Sequence, residues 1–411
     1  MTSPQHHDLV VIGAGIAGAT ITNELLARGQ AVCIVDSAPF PASACSSHAH
    51  AIAHPHIGRG APRLLRLTRI AFLMAEARWG SIWNQHGIFQ PAKKDRHFIR
   101  DEVNAHLRTL ELDEAMAQAL FAQEAKEICG VAQDGVWLPR GASLNLSEAT
   151  NNALKPHPHL TCCWNTSIAR LEKKGAAWQL LNHQNEISMT AGKVIIAAAL
   201  ETKTLAASMD VKLPLRPVRG QLSIFSIGEN DAWASQLPRT AISGDGYCLP
   251  AKRLPEGGYE WIVGSSFDEG ETDPHDWASS DDLNREQAKG LLNYVQGDIS
   301  QLHGAGSFVG VRCVAGDRLP IVGALTQRPG IYLATALGSR GALWSALAAK
   351  LITAQVLEDD FALLARFGFA ADLVAALAPA RFFAGTLAAA PALGALASNS
   401  KPILPSAPNA K

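Results

Sequence analysis

This chain lacks an excess of charge of either sign. Its 36 lysines and arginines face 37 aspartates and glutamates, for a formal net charge of −1. No global basic field therefore marks it as a nucleic-acid binder. The balance still permits local basic patches, and Arg59, Arg63, Arg66 and Arg69 form one, with Lys93, Lys94 and Arg96 a second. No stretch reaches the roughly 18 consecutive apolar residues that a membrane-spanning helix needs, so no membrane association is expected. No C-x-x-C pair occurs among the seven cysteines, their number is odd, and Cys162 and Cys163 are adjacent. That excludes a disulfide framework and points to reduced thiols in a cytoplasmic protein. No internal repeat is present. No signal peptide is expected, because the first apolar run belongs to the motif described next.

What is present is ordinary globular composition, 47% hydrophobic and 18% charged over 411 residues, enough for two domains with their own cores. Near the N-terminus, Leu9–Ile12 read as a buried strand and Gly13, Gly15 and Gly18 as a turn. Residues 16–28 have helical periodicity, Gly29 stops the helix, and a second apolar strand, 31–35, ends in Asp36. This is a complete dinucleotide-binding unit. Gly13 allows the sharp turn, Gly15 allows backbone to approach a pyrophosphate, and Gly18 lets helix pack on strand. The pyrophosphate would sit on the free N–H groups of the helix start, and Asp36 would accept from the adenosine ribose.

Helices are expected over 62–83, 101–128 and 342–357, and a charged helical stretch over 280–300. Short strands are expected at 168–171, 177–182, 186–189 and 193–198. The all-apolar run 194–198 suits a central parallel strand returning to the nucleotide sheet. Further strands are expected at 221–227, 246–250, 261–266, 308–312 and 331–335, with 253–258 as a hairpin loop.

Several segments of the C-terminal half carry a family pattern. These are Pro-Leu-Arg-Pro-Val-Arg-Gly-Gln at 214–221, Gly-Asp-Gly-Tyr-Cys-Leu-Pro at 244–250, Gly-Ser-Ser-Phe at 264–267, the run 310–323, and Ala-Leu-Gly-Ser-Arg-Gly at 336–341. With the N-terminal fingerprint they resemble the D-amino-acid-oxidase-like FAD superfamily. Within it they look most like the FAD-dependent oxidase module of the MnmC family of bifunctional tRNA-modifying enzymes, over nearly the whole chain. The resemblance implies a mixed α/β (α+β) fold, a Rossmann-like FAD-binding domain with an inserted, largely antiparallel substrate domain. The FAD-binding domain would comprise 1–80, 145–210 and 308–384, and the substrate domain 81–144 and 211–307; 385–411 would be a flexible tail.

The implied activity is FAD-dependent oxidation of the glycine-like arm of 5-carboxymethylaminomethyl wobble uridine in tRNA. The arm leaves as glyoxylate and an aminomethyl uridine remains. In the fused enzymes a methyltransferase domain then acts on that amine. Because this chain starts at its FAD fingerprint, the resemblance implies an oxidase that is free-standing or works with a separate methyltransferase.

Cofactor binding would fall to Gly13, Ala14, Gly15, Ile16, Ala17, Gly18, Asp36, Ser37, Ser46 and Ser47, and to Gly338, Ser339, Arg340 and Gly341 at the flavin end. A helix N-terminus beside the flavin ring would stabilise negative charge developing there. Arg312 matches the carboxylate clamp of glycine-oxidase-like relatives, since a guanidinium grips a carboxylate in a planar fork; its bland reading is an ion pair at a domain interface. Tyr247 matches a residue lining the substrate site, or is an ordinary strand aromatic. Arg340 would meet flavin or substrate phosphate, or is a solvated loop charge.

His48, His50, His54 and His56 invite a metal reading, since in a strand all four would share a face. The resemblance instead sets this stretch beside the flavin ring, with His48 and His50 in contact with flavin or substrate, and no metal is expected. Here the family carries a Gly-Asn-Arg-Gln-Gly-like run that this chain lacks. Ala197-Ala198-Ala199 likewise replaces a Gly-containing turn. Two other functions fit these residues: a small-molecule amine oxidase of the glycine or sarcosine type, and a flavin-holding subunit that has lost catalysis. A nicotinamide dehydrogenase fits less well, because the second glycine turn at 338–341 suits a flavin ring.

Overall fold

A computed structural model describes residues 4–58, 61–93, 97–231, 234–292, 302–359 and 362–383. Arg59, Lys94 and Arg96 of the basic runs, residues 293–300 of the charged helical stretch, and the tail 385–411 lie outside the described residues.

Apolar strands build the first sheet. His6–Ile12 lies parallel to Val32–Val35 on one side and to Ile187–Ile196 on the other. Leu160–Cys163 extends the sheet beyond Val32–Val35, and Ile331–Thr335 lies parallel to Ile187–Ile196. Successive side chains point to opposite faces. Val11, Ile34 and Ile195 enter one core, while Val10, Cys33, Val35, Val194 and Ile196 enter another. A strand covered on both faces must be apolar at every position, and that is why these runs are unbroken. The helices Ile16–Ala27 and Gly341–Leu357 pack together in the first core. The expected strands 186–189 and 193–198 are one strand, Ile187–Ile196. Its first half pairs with Ala177–Leu181 and its second with Ile331–Thr335.

The second, ten-stranded sheet draws on residues between those of the first. Its spine is Leu215–Ile227, antiparallel to His303–Ala315 and to Tyr259–Gly264. One pair, Ile88–Pro91 with Ala241–Gly244, is parallel. The whole is a mixed α/β fold with a Rossmann-like parallel unit and a largely antiparallel second sheet.

The continuous helix expected over 101–128 does not form. Helices Arg100–Thr109 and Ala122–Cys129 flank a strand, Gln118–Leu120, laddered to Gly135–Leu138. Leu112, Met116, Ala117 and Leu120 are buried there, so tertiary pairing overrides an Ala- and Leu-rich helix propensity. The helix expected over 62–83 is Pro62–Trp79, ended by Gly80 at φ +23°. Among the described residues no helix is long and apolar enough to cross a membrane.

Candidate active site

The turn after the first strand is shaped by two glycines. Gly13 sits at φ +103°, and a Cβ there would stand 2.6 Å from the Ala197 carbonyl oxygen. A Cβ at Gly18 would stand 1.9 Å from the Gly13 carbonyl oxygen. Both neighbours are backbone, so no side chain fits. Gly15 caps the helix, and Ser46 Oγ accepts the Ile16 N–H at 2.9 Å. The Asp36 carboxylate accepts from Ala14 N–H at 2.6 Å and from Ala38 N–H at 2.8 Å, fixing the turn to the end of the second strand.

A second helix start reaches the same place from the far end of the chain. Gly338, at φ +55°, donates to the Cys313 carbonyl at 3.0 Å and leads into Gly341–Leu357. A Cβ on Gly341 would lie 3.5 Å from Ile16 Cγ2, so the two helix N-termini abut. Each leaves its first N–H groups without helical acceptors, and both dipoles favour an anion.

These termini form one wall of a cavity of about 540 Å³. Of the expected site residues it is lined by Gly15, Ile16, Ala17, Ser46, His48, Tyr247, Arg312, Gly338, Ser339, Arg340 and Gly341. Gly13, Ala14, Gly18 and Asp36 stand behind the wall and shape the turn; Ser37 and Ser47 are exposed and off it. His50 is also off the wall. The glycine cradle and the paired helix starts fit a dinucleotide diphosphate, and the long cavity fits a ring system beyond it.

Arg312 projects from His303–Ala315 and lines the same cavity. Its Nη2 donates to Ser265 Oγ at 2.6 Å and its Nη1 to the Ser266 carbonyl at 3.3 Å. Among the described residues no carboxylate lies within 4.0 Å of it. Burial pushes its pKa below the ordinary arginine value, opposed by Tyr247, Cys45 and Asp268. A half-buried guanidinium with spare donors facing a cavity, and no carboxylate beside it among the described residues, is suited to receive an anion such as a carboxylate.

Tyr247 Oη lies 3.3 Å from His48 Nε2 and 3.4 Å from the His50 carbonyl. His48 Nδ1 accepts the His50 N–H at 3.2 Å, which leaves its proton on Nε2, facing the phenol. The Tyr247 hydroxyl then donates to the His50 carbonyl. The His48 ring stacks on Phe308 with centroids 4.9 Å apart. Burial, then His50 and Arg312, lower its pKa to about 3, so it stays neutral. Burial raises the Tyr247 phenol and keeps it protonated. His50 thus acts through its backbone.

The four histidines do not share a strand face. The strand spans only Ala51–Ala53, and Pro55 interrupts its continuation. His54 Nε2 meets Ser243 Oγ at 3.1 Å, with a pKa lowered to about 4 chiefly by burial. The His56 N–H donates to Thr68 Oγ1. Among the described residues no cluster of His, Cys, Asp and Glu is arranged to hold a metal.

Arg340 lines the cavity with no hydrogen-bond or ion-pair partner for its guanidinium among the described residues, and burial lowers its pKa. Of the basic runs, Arg66 pairs with Asp372 at 3.0 Å, Arg69 with Glu111, and Lys93 lies 4.0 Å from Asp245.

Sequence reasoning assigned no role to His54, Ser265, Phe267, Phe308 or Gly220. Gly220 was readable in part, since a glycine inside a strand often marks a close approach.

Residues 8–355 match the family described as FAD dependent oxidoreductase. The chain is 30% identical over 414 residues to the tRNA 5-methylaminomethyl-2-thiouridine biosynthesis bifunctional protein MnmC of Ralstonia nicotianae, covering 92% of this chain and 60% of that protein. It is also 30% identical to the MnmC protein of Thiobacillus denitrificans, with the same coverages. The chain thus spans about 60% of the length of these relatives. Among solved structures, glycine oxidase from Geobacillus kaustophilus superposes with a TM-score of 0.67 at 20% identity, covering 88% of this chain and 98% of that one. Iminodiacetate oxidase from a Chelativorans species gives 0.66 at 18% identity, covering 85% and 95%.

Proposed function

The chain belongs to the FAD-dependent oxidoreductase family, and from that premise we propose that it oxidises the carboxymethylaminomethyl arm of a wobble uridine in tRNA. The substrate group is R–NH–CH2–COO⁻. The cofactor is FAD, which when bound supplies the two-electron acceptor for the C–H bond between amine and carboxylate. Gly13–Gly18, Asp36 and Ser46 would hold its adenosine diphosphate half, and Gly338–Gly341 its ring end.

The observation that carries this reading is Arg312, a half-buried guanidinium on the cavity wall with no carboxylate within 4.0 Å among the described residues. It anchors the substrate carboxylate and so orients the adjacent CH2. Tyr247 and His48 lie on the same wall in their neutral forms and offer no counter-charge to an ammonium, so they favour binding of the substrate after its amine has lost its proton to solvent. The oxidised arm is an imine; water adds to it, glyoxylate leaves, and the aminomethyl uridine remains. The helix start at Gly341 and Arg340, whose guanidinium has no partner among the described residues, would stabilise negative charge on a reduced ring bound there. The names of the MnmC relatives support a tRNA substrate, and to it we add a methyltransferase as partner and the cytoplasm as location. We further propose the domain division 1–80, 145–210 and 308–384 for FAD and 81–144 and 211–307 for substrate.

The test is mass spectrometry of wobble nucleosides from cells lacking the gene. The carboxymethylaminomethyl form is expected to accumulate; a normal nucleoside profile overturns the assignment. Arg312→Ala is expected to keep its flavin while turnover collapses. Peroxide formed from glycine or sarcosine, with modified RNA left untouched, replaces this reading by the small-molecule one.

A further inference from the structure

Among the described residues six large apolar side chains are exposed: Phe40, Ile99, Phe121, Ile128, Phe267 and Leu283. Only Phe267 among them also lines the cavity, with 49% of its surface open to solvent. It belongs to the three-residue loop between Tyr259–Gly264 and Asp268–Glu269. That same loop holds the clamp, because Ser265 and Ser266 accept from Arg312.

The loop is fastened from behind. Ser266 is fully buried; its N–H donates to the Gln221 carbonyl at 3.1 Å, its Oγ accepts the Gln221 N–H at 3.0 Å, and its hydroxyl donates to Asp268 at 2.8 Å. Asp268 in turn pairs with the fully buried Arg219. Phe267 is therefore an apolar ring presented to solvent on fixed backbone, one residue from the groups that fix the carboxylate receptor. A substrate as small as glycine, held by Arg312, has no use for it.

A substrate with a planar base does. Four single bonds separate the carboxylate carbon from the base in R–NH–CH2–COO⁻, where R is a methylene on the ring, an extended span of about 5 Å. The Phe267 ring centroid lies 5.6 Å from Arg312 Cζ. The guanidinium lies over the ring, and about half of the side chain's surface remains open for a second flat partner. Uracil is such a partner, since every base offers a π-face to an aromatic side chain. Resting on the function argued above, we propose that Phe267 is the stacking platform for the pyrimidine base at the cavity mouth, and that it selects base-bearing secondary amines over free amino acids.

The experiment compares the flavin-loaded wild type with Phe267→Ala and Phe267→Tyr. The probes are an anticodon stem-loop RNA carrying 5-carboxymethylaminomethyl uridine, and sarcosine as the base-free amine. Stem-loop affinity is measured by fluorescence anisotropy and turnover by product analysis, with the bound-flavin spectrum as the control for folding. Phe267→Ala is expected to weaken stem-loop binding and raise its KM roughly 10- to 100-fold. The loss of kcat/KM on RNA should exceed the loss on sarcosine at least about tenfold, and Phe267→Tyr should restore it, since both rings stack. Equal losses on RNA and sarcosine overturn the proposal and assign the ring to Arg312. Unchanged stem-loop affinity also overturns it. A flavin-loaded wild type that oxidises sarcosine but never the RNA instead overturns the underlying tRNA function, and the base platform with it.

Discussion

Gly220 and Arg312 occupy one space: a Cβ at 220 would stand 2.3 Å from both terminal nitrogens of the guanidinium. The two lie on facing strands, with Val218 opposite Arg312 and Gly220 opposite Gly310. The hollow left by a missing side chain is what lets Arg312 lie against its sheet. Because the obstructed atoms end a flexible side chain, Gly220→Ala is expected to displace the guanidinium rather than the strand. The variant should keep its flavin and its thermal midpoint while kcat/KM for a carboxylate substrate falls by about 2 kcal/mol, or about thirty-fold. Steady-state kinetics beside a thermal melt read the two effects separately. A large loss of stability with unchanged kinetics would contradict the assignment.

Gly18→Ala should behave in the opposite way. The atom in its path is the backbone oxygen of Gly13, so the turn itself must move. Overpacking of this kind costs about 1–3 kcal/mol, and it falls on the segment expected to carry the diphosphate. The flavin-to-protein ratio after gel filtration should drop and the melting temperature should fall with it. A fully yellow, stable variant would remove this turn from the cofactor site.

Stability should decline on mild acidification. His48 and His54 titrate at about 3 and about 4 in the folded protein, against an ordinary value of 6.5, chiefly because both are buried. The nearby cations Arg312 and Arg340 add to the respective shifts. The unfolded chain therefore takes up protons near pH 6.5 that the folded chain refuses until pH 3–4. The stability they confer is complete above pH 6.5 and is lost as pH falls through that window, at a slope approaching two protons. Urea midpoints measured from pH 7.5 to about 4.5 should show that slope, and His54→Gln should remove about one proton of it. A pH-independent midpoint would mean that the imidazoles are solvated.

Arg219 offers a test of stability. Its side chain is fully buried, paired with Asp268 at 3.0 Å and stacked 3.9 Å from the Trp277 ring centroid. Its remaining donors reach the Gln221 side chain and the carbonyls of Asp273 and His275. Asp268→Ala removes its counter-charge and should cost about 3 kcal/mol in urea unfolding. Asp276→Ala, on the exposed stretch nearby, should stay within about 0.5 kcal/mol.

Local chemistry explains which features could be read from the chain alone. The turn Gly13–Gly18, the strand 331–335 and the helix entered at Gly341 depend on neighbouring residues and on a period visible in a short window. The strand at Gln118–Leu120 does not; it exists because Gly135–Leu138 offers it a ladder, and a helical composition concealed it. The site divides in the same way. Arg312 and Tyr247 could be singled out as residues, but the hollow at Gly220 depends on a register set between strands far apart in sequence. The histidine run is a related case. Its spacing suggested a common face, whereas Tyr247, Ser243 and Thr68 decide where each residue is held.

The abutting helix starts at Ile16 and Gly341 also bear on the order of events during synthesis. The first belongs to a turn shaped by Ser46 and Ala197, so its half of the anion cradle needs residues up to the strand 187–196. The second emerges more than three hundred residues later, after the strand bearing Arg312. The cradle is therefore complete only when the later helix docks beside the earlier one. A ligand held between the two helix starts would stabilise that docking, and with it the closure of a loop of more than three hundred residues.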